Sequence, residues 1–102
     1  MIEKDQILKF IGENEVFFRS KYHVVKMGVF GSYARNEQDE LSDIDLIVEF
    51  EPGTENLHEI KNELKELFRV EFNVNVDVCR EKYLKPIFRD KVLSEARYVY
   101  QV

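Results

Sequence analysis

The chain has one cysteine, Cys79. No intramolecular disulfide can form, and such thiol usage belongs to a reducing, cytoplasmic compartment. Apolar runs long enough for a signal peptide or a membrane span are missing, and the start, Met1-Ile2-Glu3-Lys4-Asp5, is already charged. Basic charge is short as well. Lys and Arg number 15 against 20 Asp and Glu, giving a net charge of −5. That balance excludes a general grip on nucleic acid, whose backbone would be repelled, but not a local basic patch. The two histidines, His23 and His58, have no metal-ligand spacing and read as surface or packing residues. Repeats, low-complexity tracts and linkers are absent. What is there, 102 residues with 44% hydrophobic and 34% charged side chains, fits one globular domain spanning residues 1–102 with a real core.

The periodicity places elements along the chain. Ile7, Leu8, Phe10, Ile11, Phe17 and Phe18 form a near-helical stripe that predicts a helix from Asp5 to about Arg19. Val24 to Phe30 is rich in strand formers and runs into Gly31, a strand followed by a tight turn. Ser32, a good N-cap residue, opens a short helix to about Glu37. Asp43 to Glu49 alternates, with Ile44, Leu46, Val48 and Phe50 on one face, before Pro52-Gly53 breaks the chain. Asn56 to about Arg69 is the most regular helix. Asn56 and Glu59 resemble a capping box, and Leu57, Ile60, Leu64 and Leu67 keep three- and four-residue spacing. Asn73 to Cys79 reads as a strand burying Val74, Val76 and Val78. Glu81 to about Ala96 reads as helical, with Pro86 accommodated where the regular helix begins. Arg97 to Val102 is either a terminal strand or a partner-facing tail. Helices alternating with strands imply an α/β (α+β) layer structure, a mixed sheet of three to four strands with helices packed on one side.

Two motifs carry chemistry. Gly31-Ser32-Tyr33-Ala34-Arg35 is a small-residue turn suited to a phosphate, because Gly31 lets the backbone approach and Ser32 offers a hydroxyl and an amide. Arg35, one helical turn on, could bring a guanidinium to the same phosphates. Ser42-Asp43-Ile44-Asp45 puts two carboxylates on one strand face, with Cα atoms roughly 6.5 to 7 Å apart. Asp77 has the opposite parity to Val76 and Val78, so it joins the same sheet surface if its strand neighbours that of Asp45. Such an oxygen-only set suits Mg²⁺, which takes one or two carboxylates plus substrate phosphates. Each piece alone has an ordinary reading: a Gly-Ser turn is usually a turn, an Asp-x-Asp often a solvated strand start, and Asp77 a polar residue on a half-exposed strand. Their order, and the ten residues separating Ser32 from Asp43, tie them into one pattern.

That pattern resembles the minimal nucleotidyltransferases, small members of the DNA polymerase β-like superfamily. Gly31-Ser32, ten residues, then Asp43-Ile44-Asp45 matches the family signature, and the likeness runs from the first helix through the Asp77 strand. The resemblance implies the polymerase β-like fold and transfer of AMP from ATP to a hydroxyl with release of pyrophosphate. It implies that Asp43 and Asp45 bind two Mg²⁺ ions, and that Asp77 shares one and helps deprotonate the attacking hydroxyl. Gly31 and Ser32 would cradle the β- and γ-phosphates, with Arg35 as a helper.

Only 25 residues follow Asp77, little room for an acceptor pocket, so the acceptor is expected to be held by another protein or to be one. The resemblance names such a partner: these nucleotidyltransferases are antitoxins of helical HEPN-domain toxins, and they adenylylate a tyrosine beside the toxin's RNase site. The chain's acidity would suit docking onto a basic, RNA-binding toxin. Two alternatives stay open: a non-catalytic antitoxin that only covers its partner, and transfer to a small molecule or RNA end with a partner shaping the pocket. The other residues read as ordinary. Phe10, Phe17 and Phe18 are core, Cys79 is a half-buried thiol, and Glu37, Asp39 and Glu40 form a solvated loop. Tyr98 and Tyr100 either pack in a terminal strand or face a partner. An exposed sheet edge or C-terminal tail would permit homo-oligomers.

Overall fold

A computed structural model describes residues 2–102. The chain folds as α1 (Lys4–Glu13), α2 (Glu15–Tyr22), β1 (Val24–Phe30), α3 (Gly31–Ala34), β2 (Ile44–Phe50), α4 (Leu57–Phe72), β3 (Val76–Arg80), a 3₁₀ turn at Glu81–Tyr83, α5 (Pro86–Glu95) and β4 (Arg97–Gln101). The strands form one four-stranded sheet ordered β3-β2-β1-β4. β1 runs antiparallel to both β2 and β4, while β3 runs parallel to β2 after the α4 crossover. The mixed sheet is therefore present with all four strands, and the last segment is a strand rather than a free tail.

Period-two patterning decides which face is buried. Met27 and Val29 of β1, Leu46 and Val48 of β2 and Val76 and Val78 of β3 point to one side. There they meet Ile7 and Ile11 of α1, Phe18 of α2, and Leu64 and Phe68 of α4. The stripe expected to run as one helix is broken at Asn14, whose backbone leaves helical values (φ −112°, ψ 16°) while its side-chain amide donates to the Phe10 carbonyl at 2.8 Å. The cause lies in the spacing. One turn after Ile11 stand Asn14 and Glu15, both polar, and a bend is needed to return Phe18 and Tyr22 to the core.

Two other boundaries differ from expectation. Asn56 sits in the left-handed region (φ 59°) and its side chain makes no capping bond. A capping box needs an extended N-cap residue, so the Asn56–Glu59 pair does not form one. α4 instead gains an extra turn and ends where Asn73 turns left-handed (φ 54°). β3 consequently begins at Val76, three residues later than the alternation predicts. Pro86 stands at the first turn of α5, as its missing N–H requires.

The second face carries Lys26, Gly28, Asp45, Ile47, Glu49, Asp77, Cys79 and Tyr98 by strand parity and register. A charged network closes one half of it. Glu81 accepts from Lys26 (2.7 Å) and from the Tyr98 hydroxyl (2.6 Å), and its carbonyl accepts from Arg89 of α5 (2.9 Å). These bonds hold the Glu81 carboxyl below the usual carboxylate range. Arg80 pairs with Glu49 at 3.0 Å. The other half, around Asp45 and Asp77, has no such cover.

β4 closes tightly over β1 at Gly28, opposite a bulge at Val99. A Cβ there would lie 2.6 Å from the Arg97 carbonyl oxygen and 2.8 Å from the Tyr98 Cα, both backbone atoms that cannot swing aside. Gly28→Ala is expected to destabilise the protein by about 1–3 kcal/mol through overpacking. The measurement is a lower urea midpoint at unchanged slope. No helix among the described residues is long and apolar enough to cross a membrane.

Candidate active site

The turn after β1 is shaped by Gly31. Its φ of +74° lies where L side chains are strained, and a Cβ built on it would run into the Asp45 carboxylate. Glycine is thus required twice, for the backbone and for the approach of Asp45. α3 follows as a single turn whose N-cap is Phe30. Ser32 therefore sits inside the first turn rather than at the N-cap, because the turn's hydrogen bonds already start at the Gly31 carbonyl, which accepts from the Arg35 amide at 3.1 Å. Its carbonyl accepts from the Glu37 amide at 2.9 Å and ties off the turn.

Asp45 is the second residue of β2 and half-buried. Register places it opposite Phe30 of antiparallel β1 and opposite Asp77 of parallel β3. Asp77 therefore lies beside it on the same sheet face, as strand parity predicts. Asp43 just precedes β2 and is exposed. The Ile44 amide bonds the Asn75 carbonyl at 2.9 Å and pins the starts of β2 and β3 together. Three carboxylates thus converge at one end of the sheet, next to the Gly31 turn.

Their mutual repulsion is visible in protonation. Burial first, then the charges of Asp77 and Asp43, push the Asp45 carboxyl up to about 6, with the Arg35 guanidinium opposing. A divalent cation fits this set: it would offset both the burial and the like charge, and carboxylate oxygens are what a hard cation prefers. The carboxylates are neighbours rather than a closed cage. Among the described residues no three His, Cys, Asp or Glu side chains already surround one point.

Arg35 is engaged otherwise than expected. Its Nε donates to Glu37 and its Nη1 to Glu95 at the end of α5, both at 2.9 Å. Its charge still reaches Asp45, while these two bonds hold the guanidinium beside the site. Nothing local in the sequence signals Glu95, which lies 60 residues away. Cys79 stays a thiol, since burial and the neighbouring Asp45 and Asp77 push its pKa up. His23 caps α2 in the left-handed region and His58 sits exposed on α4, so neither joins the acids.

Sequence reasoning also missed a cleft of about 430 Å³ that wraps the edge of β3, lined by Asp43 and Asp77 on one side and by Asn62, Lys65, Glu66 and Arg69 of α4 on the other. The available signal was the spacing of Asn62, Lys65 and Arg69, three and four residues apart on one helix. It has no meaning until α4 is placed beside β3.

A glycine turn at the end of one strand stands beside carboxylates at the starts of the next two. The nucleotidyltransferase domain family matches residues 11–99, and the chain belongs to that family. It is 44% identical over 78 residues, 74% of this chain and 80% of the relative, to the "Putative protein adenylyltransferase MJ0435" of Methanocaldococcus jannaschii. To the protein adenylyltransferase MntA of Thermococcus cleftensis it is 33% identical over 99 residues, 97% of this chain and 98% of the relative. Its fold is shared, with a TM-score of 0.58 and 16% identity, by a structure of the tri-AMPylated HEPN toxin of Shewanella oneidensis in complex with an MNT antitoxin. That match covers 92% of this chain and 73% of the matched chain.

Proposed function

We propose that this chain transfers AMP from ATP to a hydroxyl of a partner protein in a Mg²⁺-dependent reaction, and that it acts as an antitoxin by modifying a tyrosine of a HEPN RNase toxin. One observation carries the chemistry: Asp45 stands in parallel register beside Asp77 while its carboxylate faces Gly31. The acceptor class rests on the names of the relatives and on the AMPylated toxin bound by an MNT antitoxin.

In this reading Gly31 and Ser32 receive the β- and γ-phosphates through the amides of the α3 turn. Asp43, Asp45 and Asp77 are the groups that would hold two Mg²⁺ ions. Bound there, the cations supply positive charge to the attacking and leaving oxygens of an in-line displacement. Asp77, exposed at the edge strand, takes the proton of the acceptor hydroxyl. The acceptor oxygen bonds to the α-phosphorus as the bond to the α–β bridging oxygen breaks, and pyrophosphate leaves with that electron pair. Arg35, held by Glu37 and Glu95, assists through its charge, which already reaches Asp45. AMP beside an RNase site would then block RNA phosphates by bulk and by charge.

Incubating the purified chain with ATP labelled at the α-phosphate, Mg²⁺ and the product of the neighbouring gene tests the reading. Label on a tyrosine of that product is expected. A tight complex that stays unlabelled would instead mark a purely covering antitoxin, and label on RNA or a small molecule would reassign the acceptor.

A further inference from the structure

We propose that Glu95, the last residue of α5, is a positioning residue for the nucleotide: through Arg35 it fixes the Gly31-Ser32 turn that receives the β- and γ-phosphates. This role rests on the reading of that turn as the phosphate seat of an adenylyltransferase. α3 is a single helical turn, too short to keep its shape by its own hydrogen bonds. Its first two residues are tied by the chain that follows. The Gly31 carbonyl accepts from the Arg35 amide at 3.1 Å, and the Ser32 carbonyl from the Glu37 amide at 2.9 Å. The same two residues are joined through their side chains, with Arg35 Nε donating to Glu37 at 2.9 Å. Arg35 and Glu37 thus form a bracket around the turn.

Inside the bracket every bond is local. Glu95 anchors it to the fold, accepting from Arg35 Nη1 at 2.9 Å across 60 residues of sequence. α5 packs on both α3 and β1, so the anchor sets the turn against the body of the protein. Glu95 is also poorly placed for its own helix. The C-terminal end of a helix carries partial negative charge, which disfavours a carboxylate there. No basic residue in the last turn of α5 offsets it. Its side chain is only 19% exposed, and among the described residues Arg35 is its one ion-pair partner. Helix stability does not call for glutamate at this position; the bond to Arg35 does.

The bracket orients more than it attracts. A guanidinium flanked by two carboxylates has little net charge to offer a polyphosphate. What it supplies is a turn already in shape, which spares the nucleotide the cost of ordering it. From the same fixed position the Arg35 charge reaches Asp45. Glu95 therefore acts through Arg35 on both halves of the site, the turn and the central carboxylate.

Calorimetric titration of the full chain with a non-hydrolysable ATP analogue, and separately with AMP, each with Mg²⁺, tests this role, because AMP lacks the β- and γ-phosphates. Glu95→Ala is expected to weaken the ATP analogue about tenfold, a loss worth about 1.4 kcal/mol, and to leave AMP binding within about twofold. Glu95→Lys, which suits the helix terminus but repels Arg35, should weaken the analogue at least as much. Glu95→Gln, whose amide oxygen still accepts from Arg35, should bring it back to within about twofold of the unaltered chain. In an Arg35→Ala background the Glu95→Ala loss should vanish, as a double-mutant cycle requires of two residues that act as one. Equal losses for the analogue and AMP, additive losses in the double variant, no recovery with Gln, or an unchanged affinity in Glu95→Ala each overturn the proposal. Selective loss of analogue binding in a chain that labels no acceptor would keep the role of Glu95 and remove the adenylyltransferase reading. A labelled acceptor with unchanged analogue affinity in Glu95→Ala would do the opposite.

Discussion

Asp45→Asn is expected to reduce AMP transfer by about a thousandfold or more and, at neutral pH, to raise the melting temperature. A thousandfold is about 4 kcal/mol of barrier, within what metal-held charge supplies to a transition state. The gain in stability has the same cause as the loss of activity. Asp45 is half-buried beside Asp77 and near Asp43, and its carboxyl is pushed up to about 6 from the ordinary value of 3.8. The folded protein therefore binds this proton more tightly than the unfolded chain does. The associated stability is fully present below the ordinary carboxyl value and is lost as pH rises through about 6. Asparagine keeps the shape and removes the charge, so the variant should exceed the wild type in melting temperature above pH 6 and converge with it near pH 4. Scanning calorimetry at pH 4, 6 and 7.5 without divalent metal reads this directly. A constant difference across that range would mean that the Asp45 charge is not under strain. Function and stability are opposed at this residue, as expected where like charges are held together for a task.

Gly31→Ala carries the second large effect. The backbone conformation alone disfavours alanine by about 1–2 kcal/mol, but the larger consequence is displacement. The new methyl group would occupy the position of the Asp45 carboxylate, and a shift of about 1 Å in a catalytic group can reduce turnover about a hundredfold. Gly53 provides the control, because it shares the positive φ (+84°) with nothing near its missing Cβ. Gly53→Ala should lose stability and keep its rate, while Gly31→Ala should lose both. Comparison of AMP-transfer rates and urea midpoints for the two variants separates strain from collision.

The site was legible in the sequence to the extent that it is local. Strand parity assigns the face of Asp45, while Asp43 stands just before the strand, and Val76 and Val78 announce which way Asp77 points. The pairing of Asp45 with Asp77 required one non-local fact, the parallel docking of β3 on β2. That followed from the helix between them, since parallel neighbours need such a crossover. Features that depend on tertiary contact were hidden. Arg35 reads as a free guanidinium until α5 brings Glu95 to it, and the Asn62–Lys65–Arg69 spacing reads as a solvated helix face until the edge of β3 lies alongside. The capping box at Asn56 failed for a related reason. Residue type announced a cap, but the chain arriving from Pro52-Gly53 holds Asn56 in a left-handed conformation that cannot make one. The break at Asn14 was at least marked by polar residues where the core stripe should continue.

In the proposed reaction the sheet lines up phosphate turn, metal carboxylates and acceptor edge in that order. A crystal of the chain with Mn²⁺ and a non-hydrolysable ATP analogue tests it most directly, through the anomalous signal of the metal. The expected result is the β- and γ-phosphates on the Gly31-Ser32 turn, manganese among Asp43, Asp45 and Asp77, and the α-phosphate open toward the β3 edge. Phosphates seated instead against Lys65 and Arg69, with the Gly31 turn empty, would contradict it.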